Sequence, residues 1–222
     1  MDSTYPWISI EENIVTCPDG HRVRLHAYSL TPELAPQVVV LGGLLSHDEC
    51  DEWLALAKAR LQASHSDYAR SSSAVEHVRF ARSESSFVAK IEARIGALTQ
   101  WPDDDAYAIE VSRYREDGSF ASSRDFDDSH REAGDRQAWQ GQRVATLVMF
   151  LSDGTAPGAI SLPDSGLSVW PHKGNALFFN YPGTDEPGAH RGKHRGVPIS
   201  GGEGWIATKW LVSKAANAAA LS

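Results

Sequence analysis

The stretch Arg143-Val-Ala-Thr-Leu-Val-Met-Phe-Leu151 is rich in β-branched and large apolar residues, and Ser152-Asp153-Gly154 follows it. A short run of this composition that ends at turn residues is typical of a buried β-strand. Similar runs, separated by turns, recur through the second half of the chain. Together they predict strands at residues 108–114, 119–123, 143–151, 159–162, 167–170, 175–180 and 205–212.

The first half of the chain carries helical signals. Ser46 is a predicted N-cap, and Glu49 completes a capping box with it. A second helix is predicted over residues 85–98, and a hairpin around Pro18-Asp19-Gly20 over residues 14–28. A short strand is predicted over residues 38–41. Apolar residues recur at helical spacing in both helices: Cys50, Trp53, Leu54, Ala57 and Leu61 in the first, and Phe87, Ile91, Ile95 and Leu98 in the second.

Two helices followed by several short strands predict an α+β fold that is mainly β. The expected architecture is a jelly roll, a double-stranded β-helix of the cupin-like kind, with supporting N-terminal helices. We expect an N-terminal hairpin arm at 1–37, a main domain at 38–213 and a tail at 214–222. Within the main domain the helical layer is expected at 38–102 and the jelly roll at 103–213. The core or a pocket wall is expected to hold the aromatic residues Trp170, Phe178, Phe179 and Tyr181.

Composition restricts the function classes. The chain has 222 residues, a formal net charge of −8 and 41% apolar residues, a balance that suits one soluble domain. The negative charge argues against a general nucleic-acid or anionic-membrane partner, because both need a basic face. The two cysteines, Cys17 and Cys50, have no metal-binding spacing and are expected to be reduced thiols. With no signal pattern and no apolar run of roughly 20 residues, we expect a cytoplasmic protein.

Several segments, taken in order, resemble the prolyl-4-hydroxylase branch of the iron(II)/2-oxoglutarate oxygenases. The resemblance covers about residues 38–212, and the order and spacing of its pieces together make it specific. Tyr114 opens one piece, which continues through Gly118 to Phe120, and His194 opens another. The full set of segments is 40–50, 82–95, 114–120, 141–153, 162–178, 194–199 and 205–210.

The resemblance implies a specific chemistry. In this family iron(II) is held by two histidines and one carboxylate, which leaves three coordination positions open. The first histidine and the carboxylate form a His-x-Asp pair, and alternate residues of a strand point the same way, so both reach the metal. 2-Oxoglutarate takes two of the open positions, and a lysine deep in the barrel pairs with its far carboxylate.

This sequence departs from that pattern at two positions. Counting from Gly118 puts Ser123 at the first histidine position, while Asp125 and His194 stand at the carboxylate and second histidine positions. Counting from His194 puts Gly204 at the lysine position. The implied metal ligands are therefore Asp125 and His194 alone. A bound 2-oxoglutarate would lose its charge partner, and an unmatched desolvated charge costs about 2–5 kcal/mol.

Other positions of the family pattern are retained or have candidate substitutes. Tyr114 matches a tyrosine that hydrogen-bonds the co-substrate, and Thr208 and Trp210 match residues that line the same pocket. A third metal ligand could come from His130 or His190. An anion could be anchored by one of three nearby basic residues, Arg191, Lys193 or Arg195.

Two functions remain open from the sequence. The first is an oxidoreductase of the non-haem iron(II)/2-oxoglutarate dioxygenase type, hydroxylase-like, acting on a small-molecule, amino-acid or peptide substrate through an altered metal site. The alternative is a catalytically degenerate or repurposed member: a binding or partner protein, or a metal-independent enzyme, that does not use 2-oxoglutarate. A third hypothesis is that Ser123 or Gly204 was introduced by substitution. The sequence gives no indication of the oligomeric state.

Overall fold

The computed structural model describes residues 6–28, 37–65, 75–101, 108–114, 141–153, 160–162, 166–180, 195–196 and 203–214. Two helices lie in these ranges, α1 (His47–His65) and α2 (Ser86–Thr99). The strands, in chain order, are β1 (Ile14–Thr16), β2 (Arg22–Ala27), β3 (Val38–Gly42), β4 (Val75–Phe80), β5 (Ile109–Tyr114), β6 (Gly141–Phe150), β7 (Ile160–Leu162), β8 (Leu167–Val169), β9 (Ala176–Asn180), β10 (Arg195–Gly196) and β11 (Gly204–Lys214).

The strands form two antiparallel sheets. The large sheet has the order β1-β2-β3-β9-β6-β11-β5-β4, and the small sheet has the order β10-β7-β8. Side chains alternate between the two faces of the large sheet, as β6 illustrates: Leu147 and Met149 join the core around both helices, whereas Val148 and Phe150 pack with residues of the small sheet. We call these the helix-side face and the pocket-side face. This arrangement confirms the predicted mainly β jelly roll with supporting helices.

Helix α1 begins where the capping box predicts. The Glu49 backbone N–H donates to Ser46 Oγ at 3.1 Å, and Glu49 Oε2 accepts from the Ser46 backbone N–H at 2.8 Å. Two backbone donors at the start of the helix are thereby satisfied. The predicted apolar stripe is also confirmed, because Cys50, Trp53, Ala57 and Leu61 are buried in the helix-side core.

Helix α2 is confirmed with a small shift of its ends. Ser85 is the N-cap, and its Oγ accepts from the Val88 backbone N–H at 3.1 Å. The helix ends at Gln100, which has a left-handed φ of 50°. The predicted face is buried in full: Phe87, Ile91, Ile95 and Leu98.

The N-terminal hairpin is part of the large sheet. β1 pairs with β2, with Val15 opposite Val23, and β2 continues the sheet by pairing with β3. The turn closes at Gly20, whose φ of +81° suits glycine. Cys17 is buried here and Cys50 in α1, and neither forms a disulfide.

A buried guanidinium ties the hairpin turn to both helices. Arg94 on α2 is 2% exposed, and its Nη1 donates to Leu44 O at 2.6 Å and to Glu49 Oε2 at 2.9 Å. Its Nη2 donates to Glu49 Oε1 at 2.9 Å and to Asp19 Oδ2 at 2.5 Å. Burial alone would raise the pKa of Glu49, but hydrogen bonds from Arg94 and Lys90 outweigh it and hold that pKa at about 2.

The turn between β8 and β9 requires a glycine. Gly174 has a φ of +89°, and a Cβ added there would lie 2.5 Å from the backbone oxygen of Leu45. The Leu45 backbone N–H donates to Gly174 O, and the Gly174 N–H donates to Phe150 O, both at 2.9 Å. This close approach fixes the start of α1 against the edge of the jelly roll.

Some features differ from the sequence prediction. The strand β4 was not predicted, because the sequence of this edge strand, Val75-Glu-His-Val-Arg-Phe80, has neither strict alternation of apolar and polar residues nor a continuous apolar run. The two-residue β10 was not predicted either. Trp170 was expected in the core or a pocket wall but is 51% exposed, whereas Phe178 and Phe179 are buried as expected. The predicted strand 119–123 and Tyr181 lie outside the described residues.

Candidate functional site

The candidate site lies on the pocket-side face where β5 and β11 pair. On β11, Ile206 packs with the small-sheet core, while Trp205 and Ala207 join the helix-side core. Strand alternation therefore directs Thr208 and Trp210 to the same face as Ile206. On β5, Ile109 and Val111 belong to the helix-side core. The same alternation directs Ser112 and Tyr114 to the pocket side.

The strand register brings the predicted residues together. Gly204 lies directly opposite Tyr114, and Ile206 lies opposite Ser112. On the other edge of β11, Thr208 pairs with Val148 and Trp210 pairs with Thr146. The residues Tyr114, Thr208, Trp210 and Gly204, predicted from widely separated segments, thus line one face of neighbouring strands.

Apart from the paired Glu110 and Arg79, the polar side chains of this lining are uncharged, and most of them are buried. Tyr114 and Thr208 are 9% and 8% exposed, and Ser112 and Thr146 are more deeply buried. The sequence analysis missed Ser112 and Thr146 as pocket-side residues. Their signal was available in the strand alternation, since Ser112 is two residues before Tyr114 and Thr146 sits between apolar neighbours of the opposite face.

The nearby cations are engaged elsewhere. Lys209 lies between Thr208 and Trp210 in sequence but points to the helix side, where its Nζ is 3.3 Å from Glu92 Oε1 in a buried pair. Arg113 also faces that side and donates from Nε to Glu203 Oε2 at 2.8 Å. On the pocket side, Arg79 of β4 lies opposite Glu110 and pairs with it at 3.1 Å.

The glycine at position 204 is not required by the backbone. The described glycines with positive φ are Gly20, Gly43, Gly166 and Gly174, so Gly204 has a strand conformation open to any L residue. Its place in the register is fixed by its neighbour, because the Trp205 N–H donates to Ser152 Oγ at 3.0 Å and Trp205 O accepts from the Leu151 N–H at 3.0 Å. The backbone conformation therefore does not account for the absence of a side chain at this position.

The predicted metal ligands Asp125 and His194, and Ser123 at the first histidine position, lie outside the described residues. So do the substitute candidates His130, His190, Arg191 and Lys193, and the side chain of Arg195. The backbone of β10 begins directly after His194, with Arg195 opposite Ser161 in the small sheet. Within the described ranges no three His, Cys, Asp or Glu side chains gather as a metal site. The assignment of Asp125 and His194 stays a prediction.

Comparison with known proteins places the fold in a class. A solved structure of viral collagen prolyl hydroxylase from Paramecium Bursaria Chlorella virus-1, in complex with 2-oxoglutarate, aligns with a TM-score of 0.60. The two chains are 22% identical, and the match covers 79% of this chain and 95% of that one. The chain thus shares the jelly-roll fold of that viral hydroxylase. No protein-family model matches the chain.

Sequence relatives define the family. The chain is 32% identical over 209 residues to prolyl 4-hydroxylase 1 of Arabidopsis thaliana. The aligned region covers 82% of this chain and 71% of the relative. The chain is also 30% identical over 183 residues to prolyl 4-hydroxylase subunit alpha-1 of Gallus gallus. The chain spans 36% of that subunit. This protein belongs to the prolyl 4-hydroxylase-like family of iron(II)/2-oxoglutarate oxygenases.

The described pocket does not fit 2-oxoglutarate in the way that the family pattern implies. The position of the anchoring lysine is a glycine beside Tyr114. Among the described side chains of β4, β5, β11 and β6, the one arginine or lysine on the pocket side is Arg79, which pairs with Glu110. The predicted metal donors are likewise one imidazole short of the usual set of two histidines and one carboxylate.

No described helix is long and apolar enough to cross a membrane.

Proposed function

We propose that this protein is an oxidoreductase of the non-haem iron dioxygenase type, hydroxylase-like, that acts on a small-molecule, amino-acid or peptide substrate through an altered metal site. The observation that carries the proposal is the shared pocket-side face of Tyr114, Thr208 and Trp210, three positions retained from the family pattern. A degenerate scaffold has no need to keep these three side chains together on one face.

The residues of the chain have separate roles in this proposal. The Tyr114 phenol and the Thr208 hydroxyl bind and orient oxygen atoms of the ligand, and the Trp210 indole forms an apolar wall that excludes water. Asp125 and His194 would hold the metal, which supplies the oxidising chemistry when bound. Ser123 contributes at most a neutral hydroxyl, a poor ligand for iron(II) compared with imidazole.

Iron titration of the purified protein tests the proposal. We expect stoichiometric iron(II) binding that is lost in Asp125→Ala and in His194→Ala, with unchanged thermal unfolding as the control for folding. Ser123→His restores the third protein ligand and is expected to raise iron affinity by at least about tenfold, by comparison with the 10- to 100-fold effects of lesser changes at metal sites. Protein that is isolated without metal and does not take up iron(II) would contradict the proposal.

The second candidate is a repurposed family member that does not use 2-oxoglutarate. The observation that favours it is Gly204, which leaves a glycine at the anchor position. Under this candidate the pocket binds a ligand or partner without oxidation. Conversion of 2-oxoglutarate to succinate by the purified protein with iron would eliminate it.

We also propose a cytoplasmic location and no nucleic-acid or membrane partner. The net charge of −8 supports the absence of nucleic-acid and membrane partners, because phosphate-rich partners select basic surfaces. Retention on a heparin or anionic-lipid column at physiological salt would contradict it.

A further inference from the structure

Gly204 changes the kind of ligand that the pocket can hold. We propose that the pocket accepts a 2-oxo acid with one carboxylate and an uncharged side chain, in preference to the dicarboxylate 2-oxoglutarate. The inference rests on the proposed function, since it concerns the co-substrate of the same site. Three observations support it: the strand conformation of the backbone at Gly204, the side chains around it, and the pairing of the nearby charged side chains with each other.

The residues near Gly204 on the pocket-side face carry apolar and hydroxyl-bearing side chains. Ile206 follows two residues along β11 on the same face and packs with the small-sheet core. Phe150 and Val148 belong to the same core and pair with Ile206 and Thr208 across β11 and β6. An aliphatic ligand end would bury its surface against these groups, while a carboxylate end would lose its hydration without gaining an unpaired cation from the described side chains.

The charges around Gly204 are already matched. Arg113, opposite Trp205 in the register, contacts Glu203 and lies 3.4 Å from Glu76 Oε2. Arg79 is held by Glu110. Because Arg113 lies on the helix-side face and Arg79 is already paired, a carboxylate entering beside Gly204 from the pocket side would meet no unpaired guanidinium among the described side chains of β4, β5, β6 and β11. This arrangement disfavours a second negative charge on the ligand.

A one-residue shift in the register of β11 would place Glu203 on the pocket-side face, but the contacts of Glu203 exclude this shift. Glu203 is anchored on the helix side by Arg113 and by the Trp205 indole N–H. The Trp205 ring in turn lies under Arg113 and Lys58, at 5.6 Å and 5.7 Å from its centroid. These contacts hold Gly204 at the pocket position opposite Tyr114.

The test is a binding comparison with two probes of similar length, 4-methyl-2-oxopentanoate and 2-oxoglutarate. Binding is measured by calorimetry on the iron-loaded, oxygen-free protein, so that no turnover is needed. We expect the wild-type protein to bind the monocarboxylate at least about tenfold more tightly, a difference of about 1.4 kcal/mol. Gly204→Lys is expected to reverse the order.

Gly204→Met is the matched control, because methionine fills a similar volume without a charge. It is expected to weaken binding of both probes without reversing the preference. Equal or tighter binding of 2-oxoglutarate by the wild-type protein would overturn the inference alone, provided that iron binds stoichiometrically. If neither iron nor either 2-oxo acid binds, the inference and the proposed function both fail.

Discussion

The two faces of the large sheet carry different kinds of buried groups, although their side chains come from the same strands. On the helix side, buried charges occur in matched pairs, as in Arg94 with Glu49 and Lys209 with Glu92. On the pocket side near β5 and β11, the buried groups are hydroxyls and an indole, and one position is a glycine. The comparison teaches that the fold depends on the helix-side contacts. The pocket side could therefore lose a lysine without loss of the fold.

The largest effect is expected from Arg94→Met, which breaks the helix-side network. The variant leaves Glu49 buried with Lys90 as its remaining cation and removes the donor to Leu44 O. Breaking a buried pair by removing one partner costs about 3–5 kcal/mol, so we expect the free energy of unfolding to fall by about that amount. Urea denaturation measures it.

Arg94→Met combined with Glu49→Gln serves as the control for this variant. Removing the stranded carboxylate is expected to recover part of the lost stability, because the double variant no longer buries the Glu49 charge, and Asp19, which also loses Arg94, is 25% exposed. A double variant that is less stable than Arg94→Met would contradict the proposed origin of the effect.

The loss of folding stability at acid pH should also depend on a residue of the helix-side face, Glu49. The pKa of Glu49 is lowered from 4.5 to about 2, so the folded state binds this proton more weakly than the unfolded state. The stabilisation is therefore complete above pH 4.5 and is lost as the pH falls toward 2. The shift corresponds to about 3 kcal/mol. We expect the urea midpoint of the wild-type protein to drop more steeply below pH 4.5 than that of Glu49→Gln, and parallel curves would refute this.

Gly174→Ala tests the close approach between the β8–β9 turn and α1. Alanine at φ +89° is strained, and its Cβ would lie 2.5 Å from Leu45 O, so we expect a loss of about 2–3 kcal/mol. Gly43→Ala is the matched control: its φ is +68°, but nothing lies within 4 Å of the added Cβ. It should lose about 1–2 kcal/mol from backbone strain alone. Equal melting temperatures for the two variants would show that the contact with Leu45 adds nothing.

Local signals in the sequence predicted the parts of the fold that depend on near neighbours. The cap formed by Ser46 with Glu49 was predicted because a cap and its partner are three residues apart. The edge strand β4 could not be predicted, because its pairing with β5 joins segments far apart in the chain. The contact of Arg94 with Asp19 spans 75 residues and leaves no pattern in either segment.

The candidate site likewise has parts that the sequence predicted and parts that it could not predict. Tyr114, Thr208 and Trp210 were predicted from the family resemblance, and in the structure Gly204 lies opposite Tyr114. The sequence could not reveal that Lys209 and Arg113 turn away from the pocket, because that depends on which face of each strand packs against the helices. The roles of Ser123, Asp125 and His194 stay predictions.

The smallest effect on stability is expected on the pocket side, from Thr208→Val. Valine keeps the shape and strand propensity of threonine and removes one hydroxyl, so the free energy of unfolding should change by less than about 1 kcal/mol. If that hydroxyl binds the ligand, affinity for 4-methyl-2-oxopentanoate should fall about fivefold, the equivalent of one hydrogen bond of about 1 kcal/mol. Calorimetry and thermal unfolding of the same sample separate the two effects. A variant that loses stability but keeps full affinity would mean that Thr208 supports the sheet instead of the ligand, which would remove the contrast between the two faces.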